Sequence, residues 1–455
     1  MTAKHNFPVF ILMCALTCPA SLVAQSQPTS APATEAPLLT LDDAVSLALS
    51  NNRLVKNSAL EVQKYDFRVN VSRSRRLPHF QLDVLGGELL RPFDFTFPAG
   101  VFGTFPSTGP IPARNSVIRT PAKLTTYTTA SMDQPITQQY KIGLGIRATE
   151  LGREIAGEDL RAERQKIAAE VRNAYFDLVA IQAGVEAARE EVATLEEAQR
   201  VTARYRVQQT VLRADELEID ARLAKSRFDL SVAKNGFATQ REHLNQLLGR
   251  DLTTPFRVES FPEDDPSGIT LEQARQRAAQ NRPEVREARL KGKQAEVDRR
   301  LAKAEYIPDL SLSVRYMGFN NVQVLPGNVA VAGFSLNWEP FDWGRKRNAV
   351  AEKSKTVEQA RNGLYETESQ VAVEVGLKYR RWQDSALLLK ATRTTHEAAA
   401  EQLRVVNNKY KEQAELVKDV LQAQARSAEA DFQYKQALSS YWSSLADLRR
   451  AMGEE

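Results

Sequence analysis

No proline falls between residues 136 and 254 or between 341 and 455, although the chain contains 20 of them. A proline inside a helix removes a backbone N–H and drives its ring against the preceding turn, so proline-free blocks of this length, rich in Ala, Glu, Gln, Arg and Leu, predict very long helices. Helices over 141–209 and 344–412 would each reach roughly 100 Å at about 1.5 Å of rise per residue. A compact globular domain has no use for such a length.

The chain also repeats itself. Leu41-Asp42-Asp43-Ala44, Ala48, Asn51 and Pro78 recur as Leu271-Glu272-Gln273-Ala274, Ala278, Asn281 and Pro308, at an offset of 230. Glu170-Val171, Tyr175, Asp215, Leu217, Ala221, Phe228 and Gly249 recur as Glu374-Val375, Tyr379, Asp419, Leu421, Ala425, Phe432 and Gly453, at an offset of 204. Each unit runs helix, two stretches of period-two alternation, long helix, turn and returning helix. The first repeat is assigned to 39–249 and the second to 269–453, with a linker over 250–268. Strands are expected near 79–90 and 124–139, then near 309–320 and 329–341, with long helices over 141–249 and 344–452. The entry helices are expected to run unbroken over about 40–77 and 270–306. The register shortens by 26 residues, 25 of them between Pro78 and Pro135, and the longer loop of the first copy is Phe93–Pro121, a stretch of Pro, Gly and Phe that reads as an irregular surface loop.

On the long helices Val171, Tyr175, Leu178, Val185, Ala188, Val192 and Leu195 follow spacings of three, four and seven, and Val375, Tyr379, Trp382 and Leu389 repeat the pattern. Leu217, Ala221, Ala224 and Phe228 do likewise on the first returning helix. Such stripes are core, and each hairpin is expected to pack as an antiparallel coiled coil along them. The strands read differently. Leu310, Leu312, Val314 and Tyr316 share one side of Asp309–Tyr316, as do Phe334, Leu336 and Trp338 in the following stretch, while His79–Leu85 and Thr125–Met132 supply the matching pair. Strands with one apolar and one polar face suit a membrane β-barrel, and Trp338, Phe341 and Trp343 suit an interfacial aromatic girdle. Four strands left open in lipid would cost several kcal/mol for each unpaired edge group, so other copies must complete the barrel. Two copies would give an interior that side chains fill, and three would leave a passage; physics alone leaves the order open.

Lys4, the apolar run Phe7–Cys18 and Ala24 form a secretory signal, 1–24, followed by a flexible Pro/Thr/Ser/Ala leader over 25–38. Both cysteines, Cys14 and Cys18, fall inside that signal, so the processed chain is expected to carry no thiol. The net charge of +4 comes from 61 basic and 57 acidic residues, a mixture that argues against a nucleic-acid partner. His243 and His396 have no ligand-type residue four positions on, and Asp83, four on from His79, would stand about 13 Å away in a strand, so all three read as solvated, and Gly143-Leu144-Gly145 reads as a bend between strand and helix. The adjacent carboxylates Glu190 and Glu191 read as a solvated face. No nucleophile, base and orienter can be assembled, so no enzyme and no cofactor are expected.

The doubled order of elements, Pro308-Asp309-Leu310-Ser311-Leu312-Ser313-Val314, Glu339-Pro340-Phe341-Asp342-Trp343-Gly344-Arg345 and Leu244-Asn245-Gln246-Leu247-Leu248-Gly249-Arg250 resemble the TolC-type outer-membrane efflux protein family over roughly 39–453. The resemblance implies a mainly α fold with a membrane β-barrel portion: a homotrimer whose twelve-stranded barrel continues into a coiled-coil helical tunnel. It implies a passive duct in the bacterial outer membrane with a long periplasmic extension, serving a tripartite efflux pump or type I secretion system. The implied partners are a periplasmic adaptor, an inner-membrane pump of RND, ABC or MFS type, and outer-membrane lipid. It places Asp215, Tyr410 and Asp419 at the periplasmic aperture, Tyr410 and Asp215 joining two hairpins in the closed state and Asp419 forming an acidic constriction. It places Gln208, Gln209, Gln413 and Glu415 at adaptor-docking tips. The sequence departs from the family at Gln208 and Gln413, where a glycine is common, at Glu415, where a basic lock residue falls, and at Gln422, where a second aspartate falls. Asp215 and Asp419 also suit a plainer role, favouring a helix start by about 0.3–1 kcal/mol. Two other readings of the chain are a periplasmic coiled-coil adaptor, which would need a split lipoyl-type domain absent here, and a coiled-coil scaffold without a pore.

Overall fold

A computed structural model describes residues 37–88, 90–91, 94–119, 123–207, 213–261, 268–321, 326–412, 414 and 417–455. The signal over 1–24 and most of the leader over 25–38 lie outside the described residues. In chain order the elements are β1 (Leu38–Leu39), α1 (Leu41–Asn51), α2 (Arg53–Ser74), β2 (His79–Glu88), β3 (Asp94–Phe97), β4 (Thr104–Phe105), β5 (Gly109–Pro110), β6 (Ser116–Arg119), β7 (Leu124–Pro135), α3 (Gln138–Val207), α4 (Arg213–Leu247), β8 (Arg257–Val258), α5 (Leu271–Asn281), α6 (Pro283–Ala304), β9 (Asp309–Asn320), β10 (Asn328–Asn337), α7 (Arg345–Lys411) and α8 (Val417–Ala451).

Both entry helices start on a threonine cap. The Thr40 hydroxyl accepts from the Asp43 N–H at 3.1 Å, and Thr270 and Gln273 form a reciprocal capping box. The unbroken helices expected over 40–77 and 270–306 are instead each split in two. Asn52 leaves the helix and caps α2 by accepting from the Leu54 N–H at 2.8 Å. In the second copy Pro283 opens α6, and the clash of its ring with the preceding residue holds Arg282 in an extended conformation. Apolar periodicity carries across a one-residue break, which is why the sequence pattern hides it.

Three further expectations are corrected. Gly143-Leu144-Gly145 is no bend, because α3 is already under way at Gln138. The turn is completed earlier, where Ile136 and Thr137 both donate their N–H groups to the Leu310 carbonyl, at 2.9 and 3.3 Å. The stretch Phe93–Pro121 is not wholly irregular: its described residues include two short antiparallel strand pairs, β4 with β5 nested inside β3 with β6. The described part of the linker up to residue 261 and the end of the leader are tied down, since Leu38 and Leu39 pair in parallel with Arg257 and Val258. Buried Asn245 fastens the linker further by donating to the Leu252 and Thr254 carbonyls at 2.8 and 3.0 Å.

The core gathers α1, α5, the middles of α3 and α7 and the ends of α4 and α8, with Ile167, Val171, Leu178, Leu244, Val285, Val375 and Leu448 fully buried. Repeat-related groups make repeat-related contacts. The Tyr175 hydroxyl donates to the Leu39 carbonyl at 2.9 Å and accepts from the Glu259 N–H at 3.0 Å, while Tyr379 donates to Ile269 at 3.3 Å. Burial pushes the Tyr175 phenol up from its ordinary value, so it stays a donor. Buried Arg282 is held by Glu374 at 2.7 Å and Glu284 at 2.9 Å.

Gly249 and Gly453 end α4 and α8 with φ of +68° and +83°. A Cβ on Gly249 would stand 2.6 Å from the Asn51 carbonyl oxygen, and one on Gly453 would stand 2.7 Å from the Asn281 carbonyl carbon. Each returning helix thus closes against the end of its own repeat's entry helix only because no side chain intervenes. Gly249→Ala and Gly453→Ala should each lower the thermal unfolding midpoint, since left-handed backbone costs a non-glycine residue about 1–2 kcal/mol before any clash is counted. A circular-dichroism melt of the double variant that overlays the parent would show that these helix ends shift freely.

The helices do not pack symmetrically. Within the chain α6 and α8 both lie against α3, but their counterparts α2 and α4 make no comparable packing on α7. The stripe Leu217, Ala221, Ala224 and Phe228, expected to seat against α3, turns outward, and Phe228 is 65% exposed. Leu223 and Leu230 take its place, packed with Val192 and Leu195 of α3. The returning helix carries two apolar stripes of helical spacing, and α3 takes the other one. In the second repeat Phe432, the counterpart of Phe228, covers Gly184 of α3, where a Cβ would stand 3.5 Å from its ring.

Candidate functional site

At one end of the helices, β10, β9, β7 and β2 form an antiparallel sheet in that order. Strand register sorts its side chains by face, because paired residues point to the same side. One face carries Phe80, Leu82 and Val84 of β2, paired with Met132, Ala130 and Thr128 of β7. Leu312, Val314 and Tyr316 of β9 continue it, paired with Phe334, Ala332 and Ala330 of β10. The opposite face carries His79, Gln81 and Asp83, then Asp133, Ser131 and Thr129, then Ser313 and Arg315. Among the described residues β2 and β10 each have a strand neighbour on one side only.

The sheet meets the helices through fixed contacts. The Thr137 hydroxyl donates to the Pro308 carbonyl at 2.6 Å and accepts from the Leu310 N–H at 2.8 Å, and Lys141 pairs with Asp309 at 2.8 Å. Beyond β10, Trp338, Phe341 and Trp343 all stand exposed, Trp343 fully so. No described helix is long and apolar enough to cross a membrane, a finding that says nothing of strands.

At the far end of the helices, Asp215 lies in the first turn of α4 and Asp419 in the first turn of α8, where Asp419 is half-buried. Tyr410 lies one residue before the end of α7 and is 43% exposed. Gln208, Gln209, Gln413 and Glu415 lie outside the described residues. Three of the seven singled-out positions can therefore be placed on an element, all at the same end of the two hairpins.

Sequence reasoning missed the groove between the hairpins, lined by Glu190, Glu191, Arg222, Lys225, His396 and Asp431. His396 is not simply solvated: it is half-buried, stacked on Tyr434 with centroids 5.3 Å apart and 3.7 Å from Asp431, which Lys435 also meets at 2.8 Å. No sequence signal joins residues that meet only when two helices are laid side by side. Higher up, burial and then the neighbouring Glu287 hold the Asp159 carboxyl above its ordinary value. Among the described residues, no three His, Cys, Asp or Glu side chains are placed to share a metal ion.

Residues 274–454 match the family model described as outer membrane efflux protein. No curated protein sequence matches the chain. Solved structures match the fold across nearly its whole length. A membrane protein from Pseudomonas aeruginosa aligns at 18% identity with a TM-score of 0.72, covering 91% of this chain and 90% of that one. The Campylobacter jejuni CmeC outer membrane channel aligns at 17% identity and a TM-score of 0.72, with 91% and 85% covered. The Neisseria gonorrhoeae MtrE outer membrane channel, in its open state, aligns at 18% and 0.68, with 91% and 89% covered. The chain has the fold of these TolC-like channels.

Proposed function

We propose that this chain assembles as a homotrimer into an outer-membrane channel, the exit duct of a tripartite efflux pump or type I secretion system. The observation that carries the reading is the four-stranded sheet, apolar on one face and polar on the other, with a free edge on each side and helices about 100 Å long below it. In lipid those edges must pair, and pairing β10 of one copy with β2 of the next builds a closed barrel. The exposed Trp338, Phe341 and Trp343 suit the interface at the barrel's lower rim.

The helices support the same assembly. The in-chain seat of α6 and α8 on α3 is a template for seating α2 and α4 of one copy on α7 of the next. Each copy then offers two unlike sides, a head-to-tail contact that closes into a ring. Three copies give twelve strands and a passage, where two would give an interior that side chains fill. The tips after α3 and α7 are the proposed docking point for a periplasmic adaptor linked to an inner-membrane pump. Asp215, Tyr410 and Asp419 are the proposed aperture. The chain works as a transporter and not as an enzyme.

Cell fractionation combined with planar-bilayer recording tests the proposal. The full chain should sediment with the outer membrane as an oligomer that dissociates only on heating, and the purified oligomer should conduct ions. A correctly folded oligomer that gives no conductance would return the scaffold reading to first place.

A further inference from the structure

The polar face of the sheet does not stay polar to its far end. Counting paired rows from the helix junction, His79, Asp133 and Ser313 are polar, as are Gln81, Ser131 and Arg315, while β10 adds Gly333 to the first row and Val331 to the second. The next row mixes Asp83 and Thr129 with Met317, and the row beyond it is Leu85, Tyr127 and Phe319. The Tyr127 and Phe319 rings meet edge to face with centroids 5.9 Å apart, and Leu85 stands exposed beside them. Over the same stretch the opposite face loses its apolar character, passing from Leu82, Ala130 and Tyr316 to Val84, Thr128 and Gly318 and then to Gly86, Thr126 and Asn320. The two faces thus exchange polarity near the end remote from the helices. Side chains that turn away from the lipid-facing side are not placed there to meet lipid.

We infer that Leu85, Tyr127 and Phe319 form a hydrophobic barrier at the outer mouth of the passage, slowing hydrated ions and charged solutes while passing apolar or amphipathic cargo. The inference rests on the channel proposed above. Strands in a barrel tilt by about 35–45°, so each row climbs as a slanting ridge and the assembled copies present a set of such ridges. A narrow apolar stretch in a pore loses its water and with it the easy passage of charge. Polar cargo would have to cross the ridge unhydrated, whereas apolar cargo would exchange one apolar contact for another.

Thiol labelling in intact cells of a porin-deficient host reads the barrier locally. Ser131→Cys puts a thiol on the polar face one row past Thr129, where a charged maleimide added outside must first pass the ridge. Labelling should be slow in that background and roughly tenfold faster once Leu85→Ser, Tyr127→Ser and Phe319→Ser are added, while a small neutral maleimide should react alike in both. Phe319→Leu, which keeps the ridge apolar, should keep the slow rate. If the triple variant fails to assemble, Leu85→Ser alone, at an exposed side chain, should still speed the charged reagent. Equal rates for the charged reagent with and without the ridge overturn the barrier, as does Phe319→Leu speeding it as much as serine does. Ala130→Cys on the opposite face distinguishes the deeper failure: if that thiol reacts with the charged reagent and the one at position 131 does not, the faces are reversed and the channel itself is lost.

Discussion

Phe228→Asp on the outward stripe of α4 should abolish the oligomer. Phe432, its counterpart at an offset of 204, lies over Gly184 of α3 within the chain. Carrying Gly184 forward by the same offset reaches Leu388 of α7, which is 51% exposed beside a still more exposed Leu387. In the proposed ring the repeat would therefore seat Phe228 of one copy on Leu388 of the next. The same holds higher up, where Val297 of α6 is buried while its counterpart at an offset of 230, Phe67 of α2, is 70% exposed. Burying a phenylalanine contributes about 1.5–3 kcal/mol, and the loss recurs at every interface of a ring together with the cost of burying a carboxylate. Light scattering after purification should find Phe228→Asp monomeric, and Leu388→Asp likewise, because the two residues occupy opposite sides of one joint. Wild-type yields of oligomer from both variants would remove this pairing.

Opening the aperture should give the largest change in conduction. Tyr410 of α7 and Asp215 of α4 lie at the same end of the two hairpins, and the charged hydrogen bond that the family resemblance implies between them would contribute roughly 1.5–3 kcal/mol. Three copies acting together reach the range that holds a two-state equilibrium mostly closed. Tyr410→Phe combined with Asp215→Ala should therefore raise single-channel conductance several-fold with little change in thermal stability. Asp419→Asn should lower cation selectivity and weaken block by multivalent cations, since rings of carboxylates select cations. Should conductance and selectivity both stay at parent values in correctly assembled protein, the aspartates are left with the helix-start role. The family resemblance implies a basic lock residue at the position of Glu415, so the proposed closed state is expected to be looser.

Much of the architecture was legible in residue order, and the places where reading failed share one cause. Asp309–Tyr316 alternates cleanly, within a strand that runs Asp309–Asn320. Asn52 and Arg282 break helices without breaking periodicity, so only the cap at Leu54 and the ring of Pro283 reveal the kinks. Leu38 pairs with Arg257 across more than two hundred residues, a contact that no local pattern encodes. The proposed aperture residues rest on resemblance and not on chemistry, since an aspartate after a turn looks the same whether it starts a helix or closes a pore.

By itself the sequence determined the long helices, the doubled unit and the two-faced strands, because proline placement, internal similarity and period-two alternation act through backbone geometry over short range. Only the tertiary structure decided which of two apolar stripes on α4 turns inward, how glycines 249 and 453 close on the entry helices, and where the sheet exchanges its polar and apolar faces. Both stripes of α4 have the spacing of a helix core, so the choice between them belongs to the neighbour. Leu223 is buried because α3 reaches it, and Phe228 stays exposed because no described helix of the same chain lies against that side of α4 as α3 lies against α8.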